Sequence, residues 1–200
     1  MRDWQALIDA SDVGKPCACP GATAAELDGL EDGLQLMLPA ELRSLLSQTN
    51  GIRRSPCSYR GQRLYWVLDV AGILQYNREV RDENSAYRYM DPDEKTGEQP
   101  VEQFLVFSNI PGNGDLYAIC LFPVAGIRAS EIVLWDHAEN ERILVAPSLS
   151  AWIESWGAFD EGHDLGGGQG LPDWIHRAAG NNGRGVIVDA IVRAKPRADL

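Results

Sequence analysis

The sequence predicts an α+β fold in which a mainly antiparallel sheet carries helices packed against it. Two observations make the prediction. Up to residue 77 apolar residues recur mostly at helical spacing, whereas from residue 104 they come in short aromatic and β-branched runs between turns. Helices first, then consecutive strands, then a closing helix describe segregated layers, not an alternating parallel sheet.

The elements follow in order. Residues 3–10 read as a short amphipathic helix with Trp4, Leu7 and Ile8 on one face, and residues 12–21, with two prolines and two glycines, as a loop. Thr23-Ala-Ala-Glu26 fits a capping box, and Leu27, Leu30 and Leu34 continue a helix to about residue 33. Pro39 suits a first helical position because its missing donor would be unpaired there. Leu42, Leu45 and Leu46 then form a stripe, and Asn50-Gly51 supplies a left-handed C-terminal cap, which predicts a helix over 40–49. After a basic loop with Arg53, Arg54, Arg60 and Arg63, residues 64–68 look like a strand. Asp69 can cap a helix through Val70, Ile73, Leu74 and Asn77. The polar run 81–99 reads as a long loop.

Residues 104–107, 116–122, 132–135 and 142–146 are the predicted strands, with turns at Pro111-Gly-Asn-Gly114 and His137-Ala-Glu-Asn140. Ser148 caps a helix carrying Leu149, Trp152, Ile153 and Trp156, with Trp152 and Trp156 assigned to the core. Gly166-Gly-Gly-Gln-Gly170 has a hinge composition; a short helix from Pro172 and a strand over 186–192 follow it. The organisation is thus an N-terminal helix and loop extension (1–22), a main domain (23–164), and a hinge with a C-terminal appendage (165–200).

Composition bounds the function. With 200 residues, 44% hydrophobic and 24% charged, the chain has the make-up of an ordinary globular protein long enough to build its own core. No apolar run approaches the roughly 18 residues of a membrane span, and the start of the chain lacks a basic region followed by an apolar core. A cytoplasmic location is expected. The net charge of −11 repels nucleic acid and anionic lipid at long range. Residues 131–164 concentrate it, with eight acids and one base, Arg142. That segment is either solvated surface or a docking face for a basic partner.

Chemistry is sparse. Cys17, Cys19, Cys57 and Cys120 read as free thiols, because Cys17-Ala-Cys19 has no second ligand pair downstream and His137, His163 and His176 are scattered. No metal or cofactor is expected. There is no GxSxG, HExxH, P-loop or strand-borne GxGxxG motif, so no enzyme is indicated. Were there thiol chemistry, Cys120 with His137 would be the pair to inspect.

The ordered landmarks form a set. Ala24 to Gly51 contains Leu30-Glu31, Leu38-Pro39, Leu42, Leu45 and Asn50-Gly51. Phe107-Ser-Asn-Ile-Pro-Gly-Asn-Gly114-Asp115-Leu-Tyr117 adds a strand, a glycine turn and a Gly-Asp step into an aromatic strand. Val133-Leu-Trp135-Asp136-His137 and Ala146-Pro-Ser148 through Trp152-Ile153 complete it. This arrangement resembles the SUKH superfamily, which includes the yeast glucan-synthesis and cell-wall-assembly regulators and many bacterial toxin-immunity proteins.

The resemblance implies a compact α+β domain that binds a protein and turns over no substrate. In bacteria that means neutralising a cognate toxin, often a nuclease or deaminase; the eukaryotic relatives imply a regulatory scaffold instead. Fifteen arginines against three lysines fit a GC-rich bacterial genome and favour the first role. A toxin that binds phosphates is basic, which suits an acidic face. The candidate partner face is Asp115, Tyr117, Trp135 and Asp136, since aromatics beside acids make anchors with a polar rim, extended by Glu139 and Glu141. The turn Gly112-Asn-Gly114-Asp115 reads as a tight hairpin connection, for which positive φ is reason enough for the glycines, with a ligand-contacting loop as the alternative.

Chain length without a ligand motif predicts folding without metal. The purified chain should melt at the same temperature with and without a chelator; a large drop restored by zinc would overturn the free-thiol assignment.

Overall fold

In the computed structural model, which describes residues 2–10, 17–59, 62–91, 96–98, 101–109, 115–124, 126–136 and 141–154, the apolar stripes of the first half lie on helices. Helix α1 (Trp4–Ala10) buries Trp4 and Ile8. Helix α2 (Ala24–Leu34) opens on the expected capping box: the Glu26 N–H donates to Thr23 Oγ1 at 3.2 Å and the Thr23 N–H to Glu26 Oε2 at 2.7 Å. These bonds satisfy donors that the first turn leaves open. Its Leu27, Leu30 and Leu34 are buried, as are Leu42, Leu45 and Leu46 of helix α3 (Ala40–Gln48).

The ends of α3 differ from expectation. Pro39 is the N-cap, one position before the first helical residue, and the C-cap Thr49 is extended at φ −146°. Positive φ falls on Gly51, at 86°. The Asn-Gly pair is therefore a joint and not a left-handed cap. Asn50 Oδ1 accepts from the Val70 N–H at 2.9 Å, at the start of helix α4 (Val70–Arg81), and a Cβ on Gly51 would sit 2.9 Å from the Asp69 backbone nitrogen. Asp69 caps α4 as predicted, accepting from the Gly72 N–H at 2.8 Å.

Strands β1 (Cys17–Ala18), β2 (Ile52–Tyr59) and β3 (Gln62–Val67) form an antiparallel sheet in that order. The stretch expected as a basic loop is thus largely the hairpin β2–β3. Its signal is masked because the register breaks between Arg53 and Ser58, around Pro56, which cannot donate to a ladder. The run 81–99 is also more than loop: it holds a 3₁₀ turn (Ala86–Arg88) and a hairpin of β4 (Tyr89–Asp91) with β5 (Thr96–Glu98). Three-residue strands are too short to leave a period-two pattern.

Strands β6 (Phe104–Asn109), β7 (Leu116–Cys120), β8 (Ile132–Asp136) and β9 (Glu141–Ala146) pair consecutively and antiparallel, confirming the predicted α+β class. Helix α5 (Leu149–Glu154) follows, with the Ala151 N–H on Ser148 Oγ at 3.1 Å. It packs on β9, α1 and α3, while α4 packs on α2 and β6. The expected turns at 111–114 and 137–140, Trp156, and everything from the hinge onward lie outside the described residues.

The segment read as an N-terminal extension shares the domain core, in which Trp4 and Ile8 are fully buried. Trp4 Nε1 donates to Ser44 Oγ at 3.0 Å, and its backbone N–H to Gln48 Oε1 at 3.0 Å. Residues 19–22 run along the end of α3: the Ala22 N–H donates to Leu46 O, the Asn50 N–H to Pro20 O and the Cys19 N–H to Thr49 Oγ1. The approach at Gly21 is close enough that a Cβ would lie 2.0 Å from Ser47 O. Residues 19–22, the end of the Pro- and Gly-rich stretch, thus pack against α3 of the same domain.

Asn77, inside α4, is 1% exposed. Its Oδ1 accepts from the Val106 N–H at 2.9 Å, and its Nδ2 donates to Val106 O at 2.7 Å and Ile73 O at 2.8 Å. The carboxamide thereby behaves as a peptide group laid along β6. Replacement by Ala leaves both Val106 groups buried without a partner, each costing about 1–3 kcal/mol. Asn77→Ala should lower unfolding free energy by about 3 kcal/mol, read by urea denaturation with an unchanged m-value.

Candidate functional site

Pairing brings acids together at one end of the four-stranded sheet. Leu116 opposes Trp135, so Asp115 stands beside Asp136 where β7 begins and β8 ends, and Asp136 opposes Glu141 across β8 and β9. Three of the four candidate acids thus share one row; Glu139 lies outside the described residues. Like charges on neighbouring strands repel, so this row favours an approaching cation. Asp115 and Asp136 are half-buried.

The two candidate aromatics are not part of that surface, which corrects their assignment as anchors. Trp135 is fully buried, with Tyr87 and Phe104 edge-on to it at ring distances of 5.6 and 5.9 Å. Tyr117 is 9% exposed and lies 5.0 Å from the ring of Trp152, itself buried as expected. Burial raises the Tyr117 phenol far above its ordinary value, with the charge of Asp115 adding to the effect. Strands covered on both faces make every aromatic a core residue, and alternation cannot reveal this.

Arg142, the one base of the acidic segment, is drawn inward. It is 8% exposed, its guanidinium lies 3.8 Å over the Trp135 ring, and Nη2 donates to Tyr87 O at 3.2 Å. Burial pushes its pKa down to about 9, which leaves it charged at neutral pH.

Several residues of the resemblance are structural joints. Glu31 accepts from the Leu38 N–H at 2.8 Å through Oε1 and from Arg43 Nη1 at 2.8 Å through Oε2; Arg43 Nη2 reaches Asp28 at 2.7 Å. Together they hold the connection between α2 and α3. Sequence reasoning missed Glu41, whose Oε2 accepts from the Leu149 N–H at 3.0 Å and whose Oε1 accepts from Ser150 Oγ at 2.9 Å, capping α5. No local signal links residues so far apart in the chain.

It also missed a cleft of about 590 Å³, lined by the α2–α3 connection, Arg81 at the end of α4, Glu102, residues 120–122 at the end of β7, and Ser130. Met37, one of three consecutive apolar residues, is 85% exposed there while Leu38 is 6% exposed, a difference that composition cannot express.

Among the described residues no three His, Cys, Asp or Glu groups are clustered to hold a metal, and no helix is long and apolar enough to cross a membrane. Cys19 and Cys120 are free thiols. Cys120 donates to Phe122 O at 2.9 Å, and burial pushes its pKa up to about 11. A thiol so shifted holds little nucleophilic thiolate at neutral pH. His137, its suggested partner, lies outside the described residues.

Because Tyr117 and Trp135 fill the core, Tyr117→Ala and Trp135→Ala should each lower stability by about 3–5 kcal/mol. Chemical denaturation measures this, and a variant with native stability would return its ring to the candidate surface.

Comparison with the curated proteins gives no match. A sequence profile of the SMI1 / KNR4 family (SUKH-1) matches residues 21–155, from the segment against α3 to the end of α5. With that match over most of its length, the chain belongs to the SMI1 / KNR4 family (SUKH-1).

Proposed function

We propose that the chain is a cytoplasmic, non-enzymatic protein-binding domain, an immunity protein that neutralises a basic toxin of the nuclease or deaminase kind. The observation that carries this reading is the row of Asp115, Asp136 and Glu141 across neighbouring strand ends, with the segment's one arginine turned into the core. Opposite potentials steer a basic partner onto such a row and raise its association rate. Family membership supports action by binding, and the raised Cys120 pKa argues against thiol catalysis. No cofactor enters this role.

The test is a pull-down of the purified chain against the product of the adjacent gene, followed by binding kinetics. Association should slow as salt rises, since exposed charges more than about 8 Å apart are screened at physiological ionic strength. Asp115→Ser, Asp136→Ser and Glu141→Ser together should lower the association rate at low salt by about tenfold and leave dissociation nearly unchanged. Circular dichroism checks the fold of the variant. Binding that ignores both salt and these substitutions would move the partner face elsewhere, and no binding at all would favour the regulatory-scaffold role.

A further inference from the structure

The cleft lies at the opposite end of β7 from the acidic row, and four independent features converge on it. Met37, 85% exposed, and Phe122, 64% exposed, are the large apolar side chains standing in solvent among the described residues, and both line it. Gln35 at φ 54° and Ser130 at φ 71°, the non-glycine residues with left-handed backbone among those described, line it too. Gln35 is the left-handed C-cap that ends α2, a common use of that conformation, whereas Ser130, outside any helix, holds a conformation that costs free energy and persists where its surroundings over-determine it.

Both lips are held by hydrogen bonds. The Leu36 N–H donates to Glu31 O at 3.1 Å and the Leu38 N–H to Glu31 Oε1 at 2.8 Å, on either side of Met37. On the facing side the Leu121 N–H donates to Gln103 O at 2.7 Å, the Ser130 N–H to Cys120 O at 2.8 Å and the Cys120 thiol to Phe122 O at 2.9 Å. Apolar groups carried on a hydrogen-bonded backbone are partly pre-organised for a partner, because the backbone has little conformational entropy left to lose on contact.

The fourth feature is charge. Arg81 lines the cleft half-buried, and its Nη1 and Nη2 reach Leu34 O and Phe104 O only at 3.4 Å, while its Nε is buried with no hydrogen-bond partner. The nearby carboxylate of Glu102 is engaged by Arg88 at 2.6 Å. Glu102 also lines the cleft and its charge acts on Arg81, but among the described residues no carboxylate lies within ion-pair distance of Arg81, and with Arg88 beside Glu102 the three groups leave one net positive charge beside the apolar lips.

We infer that this cleft docks a segment of a partner protein in which an apolar side chain stands next to a single carboxylate: the apolar group inserts between Met37 and Phe122, and the carboxylate takes Arg81. A guanidinium fork and a carboxylate match in geometry, and partial burial strengthens the pair. The chain's net charge of −11 disfavours a strongly acidic partner, which is why one carboxylate is specified. This site is independent of the toxin reading, since the acidic row begins β7 and the cleft follows its end.

The probe is a random library of 12-residue peptides selected on the immobilised full chain, with the enriched sequences then made synthetically and titrated by fluorescence anisotropy. Enriched peptides should share Leu, Ile or Phe beside Asp or Glu. Binding should shift the backbone amide signals of Leu36, Met37, Phe122 and Ser130 in ¹⁵N spectra. Met37→Ser and Phe122→Ser, both at exposed positions, should each weaken binding at least about tenfold. Replacing the peptide's Glu by Gln should weaken binding to the natural chain by a similar factor, a readout of Arg81 that needs no protein variant. Asp115→Ser with Asp136→Ser should leave peptide affinity unchanged, which separates this site from the acidic row. Enrichment of basic peptides, no enrichment, binding indifferent to Met37→Ser and Phe122→Ser, or a dimer that these two substitutions dissociate would each overturn the proposal.

Discussion

The carboxamide of Asn77 joins the two halves of this domain. An edge strand carries a row of donors and acceptors that another strand would ordinarily satisfy, and on β6 a helix residue takes that place by bonding both backbone groups of Val106. The register between β6 and β7 shifts between Val106 and Ser108, so Phe107 falls in an irregularity, and its carbonyl is left to accept from the Leu68 N–H at 2.9 Å. One short stretch of β6 therefore holds α4 through Asn77 and the end of the three-stranded sheet through Leu68. Helices and sheets in an α+β fold are otherwise joined mainly by apolar contact, which resists separation but tolerates sliding. The directional bonds of Asn77 fix the register of helix against strand, and everything carried on α4, including Arg81, is placed by that register.

Helix α3 has the corresponding role on the other side. Glu41 at its start caps α5, Ser44 and Gln48 hold Trp4 and thus α1, and Asn50 beyond its end caps α4. Arg43, through Glu31, ties α3 to the turn that follows α2. A nine-residue helix is marginal by itself, so these polar contacts together with the buried Leu42, Leu45 and Leu46 are what make it persist. Residues of the family signature such as Glu31 and Asn50 thus act as architecture. Their polar groups bond within the domain.

That division has a functional consequence. A binding protein must present a rigid face while keeping its own polar groups satisfied. The two ends of β7 differ in chemistry on one frame: acids line up where it begins, and apolar side chains with a cation gather where it ends. Neither end includes Tyr117 or Trp135, whose rings pack against Trp152, Tyr87 and Phe104 and fill the core between them.

Much of the architecture was legible in the amino-acid order because its causes are local. A capping box, a leucine stripe or an aspartate before a helix depends on residues within one or two turns, and α2, α4 and the four-strand meander follow from such patterns. Short hairpins escaped because β4 and β5 have three residues each and β2 is broken near Pro56. Exposure escaped for a different reason: whether an apolar residue is core or surface depends on what packs against it from elsewhere in the chain. Trp135 and Tyr117 became core because both sheet faces are covered, whereas Met37 and Phe122 were left in solvent by a backbone pinned on either side of them. The sequence by itself determined the helices, the consecutive order of the four-stranded sheet and the acidity of the segment around β8. Only the tertiary structure decided which acids share a row, which aromatics are hidden and where a cleft opens, because each depends on contacts between residues that are distant in the chain.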